Sequence, residues 1–155
     1  MRTEPVEVFE VRGQRLGWAE LDALARAVAA ALPEDYREFM AKGDGGVFLD
    51  PNRYGSSFRG GLNELFAFRD HSPSFWSFAV ALGVYRHRVP SGFLPIGDDL
   101  AGNLIVLGVG SPHYGEVFFW DHENEVGDGQ EPTMENMEFI AGSFGEFLDA
   151  IRIAE

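Results

Sequence analysis

Apolar residues recur three and four apart in WAELDALARAVAAAL, at Trp18, Leu21, Ala25, Val28 and Leu32, and this spacing predicts an Ala-rich helix over residues 18–32. Its open face carries Glu20, Asp22 and Arg26. Pro33 then opens a second helix at its first position, with Glu34 and Asp35 near the positive end of the dipole and Lys42 and Gly43 at the other end. Tyr36, Phe39 and Met40 form its inward stripe. The glycine cluster of residues 43–46 reads as a turn into a short strand at Val47, Phe48 and Leu49. In the segment from Leu62 to Phe68, alternation of Leu65 and Ala67 with Phe66 and Phe68 favours a buried strand. Ser72 and Pro73 have the form of a helix cap and first residue, followed by stripes of Phe75, Phe78, Leu82, Tyr85 and of Trp76, Val80, Val84. No charge occurs from Ser74 to Tyr85, so this helix is either covered on two sides or turned toward a partner; burial is the expectation.

The second half reads as strands. LIVLGVG (104–110) and EVFFWDH (116–122), joined by SPHYG, predict an antiparallel hairpin, apolar on both faces and therefore inside a sheet covered by helices. An acidic loop follows from Glu123 to Glu138, then a short strand at Phe139, Ile140 and Ala141. Ser143 and Glu146 make a capping box before the helical pattern of Phe144, Phe147, Leu148 and Ile151.

With 155 residues, 45% of them hydrophobic, and 14 phenylalanines, the chain is expected to form a single globular domain over residues 1–155. The absence of cysteine excludes disulfides and thiolate chemistry. With no signal-like leader and no apolar run of membrane length, the chain is expected in the cytoplasm and off the membrane. The net charge of −13 is unevenly placed: residues 1–97 hold 12 acids and 11 bases, residues 98–155 hold 13 acids and Arg152. Such a surface repels nucleic acid and attracts a basic protein.

Candidate chemistry centres on PIGDDLAGN, residues 95–103, where Asp98 and Asp99 stand between glycines. Paired carboxylates can hold a cation or divide acid and base roles, but neighbours on an extended chain diverge. Asp98, Asp99 and Asn103 fit a turn in which side chains accept backbone N–H groups. Asp121, His122 and Glu123 are metal-ligand types, yet period two sends His122 to the opposite face. His71, His87, His113 and His122 include no pair at the spacing of a zinc-binding helix. Gly55–Arg59 departs from a nucleophile elbow at Arg59, and His113 interrupts a dinucleotide fingerprint begun at Gly108 and Gly110. No catalytic, cofactor-binding or metal residue is therefore assigned.

Four segments in order, LPEDYREFMAKGDGG (32–46), FLPIGDDLAGNLIVL (93–107), GEVFFWDHENE (115–125) and SFGEFLDAI (143–151), resemble the SUKH superfamily, the yeast cell-wall-regulator-like domains. The resemblance runs from residue 32 to the end. It implies an α+β domain with a central, mainly antiparallel sheet packed with helices, and a non-catalytic binding module. Pro95, Gly97, Asp98, Asp99, Gly102, Asn103 and Trp120 would then be fold-motif residues. Bacterial members resemble immunity proteins that neutralise contact-delivered toxins, often nucleases or deaminases, and fungal members resemble regulatory scaffolds. Both implications predict a protein partner: a cognate toxin with a basic surface, or the client of an adaptor. Asp121, Glu123, Glu125, Asp128, Glu131 and Glu135 are expected on the toxin-facing surface. A metal-dependent hydrolase using Asp98, Asp99 and His122 is the remaining alternative.

Overall fold

The computed structural model describes residues 9–48, 61–69 and 76–153, with side chains described from residue 14 to residue 151 of these. Seven strands form one sheet in chain order: β1 (Phe9–Gly13), β2 (Asp44–Phe48), β3 (Leu62–Leu65), β4 (Phe93–Asp99), β5 (Leu104–Gly108), β6 (Val117–Trp120) and β7 (Met137–Ala141). All six pairings are antiparallel. Four α-helices accompany them: α1 (Trp18–Ala27), α2 (Glu34–Lys42), α3 (Phe78–Tyr85) and α4 (Phe144–Ile153). This is the expected α+β architecture.

The hairpin β5–β6 lies at the centre of the core, with every residue of both strands buried. Residues directly opposite across neighbouring strands share a face. Glu64, Asp98, Leu104, Trp120 and Met137 therefore form one row across β3 to β7. Tyr85 of α3 meets Trp120 edge to face at 5.8 Å, so α3 lies over that row. Phe144 of α4 contacts both Tyr36 and Phe39 of α2, each at a ring separation of 5.0 Å. Tyr36, Phe39 and Met40 are buried as the periodicity predicts.

Several boundaries differ from the sequence pattern. The helix expected over residues 18–32 ends at Ala27. Ala29 takes a left-handed φ of 55°, while the N–H groups of Ala29 and Ala30 reach back to the carbonyls of Arg26 and Ala25 at 3.1 Å each. This is a Schellman stop made with alanine where glycine is usual. Pro33 occupies the N-cap of α2, one place before the first helical residue.

Of the segment 43–46 expected to turn, Gly43 caps the end of α2 and Asp44, Gly45 and Gly46 are instead part of β2. A Cβ on Gly45 would lie 2.7 Å from the Leu65 carbonyl oxygen, so the missing side chain lets β2 and β3 approach. The strand expected through Leu49 is described as far as Phe48. α3 begins at Phe78, capped by the Ser77 hydroxyl, which accepts the Val80 N–H. Ser72 and Pro73, proposed for that role from their order alone, lie outside the described residues, as does Gly55–Arg59. Nor is α3 covered on two sides: Phe78 and Ala81 are buried, but Trp76, Val80 and Val84 are exposed.

Candidate functional site

The turn between β4 and β5 is built by one carboxylate of the Asp98–Asp99 pair. Asp99 Oδ1 accepts the N–H groups of Ala101 (2.9 Å) and Asn103 (2.8 Å), its Oδ2 accepts the Asn103 amide (2.9 Å), and its N–H donates to the Asn103 carbonyl. Gly102 closes the turn at φ 89°, and its bare Cα leaves the His122 ring within van der Waals reach. Asn103 in turn accepts the His122 N–H at 3.0 Å and His122 Nδ1–H at 2.6 Å. The motif thus joins the start of β5 to His122, two residues beyond the end of β6. Pro95 and Gly97 flank a bulge in β4, where a ladder donor is absent at the proline; a Cβ on Gly97 would meet the Glu64 carbonyl oxygen at 2.5 Å. Trp120 is fully buried under Tyr85, with the Arg88 guanidinium 5.6 Å from its ring centroid.

Asp98 takes no part in the turn expected to use it. Period two sends its side chain to the opposite face, where Glu64 stands directly across on β3. Asn63 donates to Asp98 Oδ1 at 3.0 Å, and the Trp76 N–H donates to Glu64 Oε2 at 3.2 Å. Burial, then the neighbouring Glu64 charge, pushes the Asp98 carboxyl up to about 7 against the pull of Asn63. Burial likewise raises Glu64, opposed by the Trp76 N–H. Sequence inspection could not find this pair, because 34 residues separate partners that only strand register brings together.

Asp98, Asp99 and His122 therefore do not converge. Among the described residues, no three His, Asp or Glu side chains are grouped as a metal site requires, and neither main cleft is lined by Glu64 or Asp98.

The acidic segment between β6 and β7 is held at both ends of its excursion. The Asp121 N–H donates to the Asn136 carbonyl (3.0 Å) and the Asn136 amide to the Asp121 carbonyl (2.9 Å), closing the neck. Inside it, a short 3₁₀ turn (His122–Asn124) is capped by Asp121, whose carboxylate accepts the Glu123 N–H and the Asn124 amide. Asp121 is consequently buried within its own turn and does not present its charge outward. Glu125 receives both Arg88 Nε–H (3.0 Å) and Nη2–H (2.7 Å), a bidentate clamp that ties the loop to the end of α3. Glu123, Asp128, Glu131 and Glu135 are exposed. A cleft of about 710 Å³ runs between the Arg86–Ser91 segment and the loop from Glu125 to Pro132. The sequence carries no pattern for the lone amide of Asn136, and the place of Arg88 at a helix C-terminus, where it suits the dipole, does not name Glu125 as its partner.

The family model of the SMI1 / KNR4 family (SUKH-1) matches residues 19–150, from the first turn of α1 to within α4. No curated protein matches the chain.

Proposed function

The chain belongs to the SMI1 / KNR4 (SUKH-1) family, and on that premise we propose that it is a non-catalytic immunity protein acting in the cytoplasm, which neutralises a cognate toxin by covering it in a stoichiometric complex. The observation that carries the reading is the acidic loop, closed at its neck by Asp121 and Asn136 and clamped near its start by Arg88 on Glu125, with Glu123, Asp128, Glu131 and Glu135 exposed. A loop held in shape loses little further entropy on docking, so its charge is available for recognition. A toxin that acts on nucleic acid needs a basic surface to hold its substrate, and exposed carboxylates on one loop compete for that surface. Asp121 has a supporting role here, and Glu125 shares its charge with Arg88.

The test is growth of a host expressing the C-terminal domain encoded by the neighbouring gene, with and without this chain. Rescue with co-purification is expected. Reversing Glu123, Asp128, Glu131 and Glu135 to lysine should abolish both while leaving the fold intact. Undiminished rescue by that variant would overturn the assignment of the loop, and a toxic neighbour that the chain neither binds nor relieves would favour a regulatory adaptor.

A further inference from the structure

Three of the four helices carry charged residues at exposed positions: Asp22 and Arg26 on α1, Glu38 and Lys42 on α2, Glu146 and Asp149 on α4. Among the described residues, α3 is the helix without one. Trp76 just before it is 39% exposed, Val80 48% and Val84 43%, and Ala79 and Gly83 lie open beside them. Uncharged helices of this kind are normally enclosed. Local chemistry makes the choice of residues more telling. Val80 is the third residue after the Ser77 cap, where Glu or Gln would complete a capping box, and Gly83 has nothing within 4 Å of where its Cβ would be. Both positions forgo helix stability that a polar residue would supply without any clash.

We propose that the outer face of α3, centred on Trp76, Val80 and Val84, is the apolar centre of the contact whose rim is the acidic loop; this rests on the immunity reading above. The two are neighbours at the C-terminal end of α3, because the helix runs directly into Arg88, which is bound to Glu125, and the Arg86–Ser91 segment that follows the helix forms one wall of the cleft whose other wall is the loop. An apolar centre ringed by charge is the usual anatomy of a specific protein interface. Charge complementarity names the occupant. It is the surface of a basic protein that offers an aliphatic or aromatic projection to α3, with lysine or arginine placed to meet Asp128 and Glu131.

The triple variant Val80→Gln, Gly83→Gln, Val84→Gln separates this from a structural role. Glutamine favours the helix at all three positions and can cap Ser77, so Tm should rise while affinity for the purified, catalytically inactivated domain encoded by the neighbouring gene falls at least tenfold. Unchanged affinity, or a fall in Tm showing that the chain itself covers this face, would overturn the proposal. If the triple variant weakens binding while the loop reversal does not, α3 stands and the loop assignment falls; the opposite pattern keeps the loop and removes α3. A wild-type chain with no affinity for that domain overturns both.

Discussion

Replacing Asp98 by asparagine keeps an oxygen for the Asn63 amide to donate to and removes one of two ionisable carboxyls, Glu64 buried and Asp98 part-buried, opposite each other on β3 and β4. In the folded chain the Asp98 carboxyl is raised from 3.8 to about 7, first by burial and then by Glu64. A raised carboxyl means that the native state holds its proton while the unfolded chain releases it. Stability is therefore full below about pH 4, declines as pH rises toward 7, and stays reduced above. A shift of about three units corresponds to a ceiling of about 4 kcal/mol. Asp98 retains partial solvent contact, which reduces the expected effect to about 2 kcal/mol. Urea unfolding of the two proteins between pH 4 and 8.5 measures it, because subtracting one curve from the other cancels the carboxylates that do not interact with Asp98. Asp98→Asn should match the parent near pH 4 and exceed it by about 2 kcal/mol at pH 8. A difference independent of pH would show that Asp98 titrates as an ordinary carboxylate and would refute the reasoning.

Ala29→Gly should stabilise by about 0.5–1 kcal/mol in thermal melts, since glycine takes the left-handed φ at the end of α1 without the Cβ penalty. Ser143→Ala should cost about 1 kcal/mol, because the Ser143 hydroxyl accepts the Glu146 N–H at 3.1 Å, whereas Glu146 returns to the Gly142 N–H and leaves that half of the box one residue early. Gly97→Ala should cost about 2 kcal/mol or more by denaturant unfolding, as its Cβ would meet the Glu64 carbonyl oxygen at 2.5 Å and Leu65 Cδ2 at 2.8 Å.

The elements legible in the chain are those whose signals are local. Two apolar strands close together announce an antiparallel pair, although the connection expected over five residues runs from Val109 to Glu116, and Ser143 with Glu146 announces α4 wherever it packs. Errors arose where a residue's usual meaning was overridden by a distant neighbour. Alanine is the best helix former, so the stop at Ala29 is invisible beside four further apolar residues. Glycines in a cluster suggest a turn, yet Gly45 serves the close passage of β3. β1 escaped notice within a segment of mixed charge, since its evidence is the edge it pairs with on β2. At the candidate site, the Asp99 turn was readable because acceptor and donors lie within five residues. The Glu64–Asp98 pair, the Asp121–Asn136 neck and the Arg88–Glu125 clamp each depend on register or on a loop returning.

The strand order β1 through β7 bears on how the sheet comes into being. Each strand hydrogen-bonds to the ones made just before and just after it, so no pairing waits for a segment from the far end of the chain. Closure entropy is met in short instalments, and a chain emerging from the ribosome can add strands to a growing edge in the order of their synthesis. The meeting of Glu64 with Asp98 belongs to that order: it is made when β4 pairs with β3.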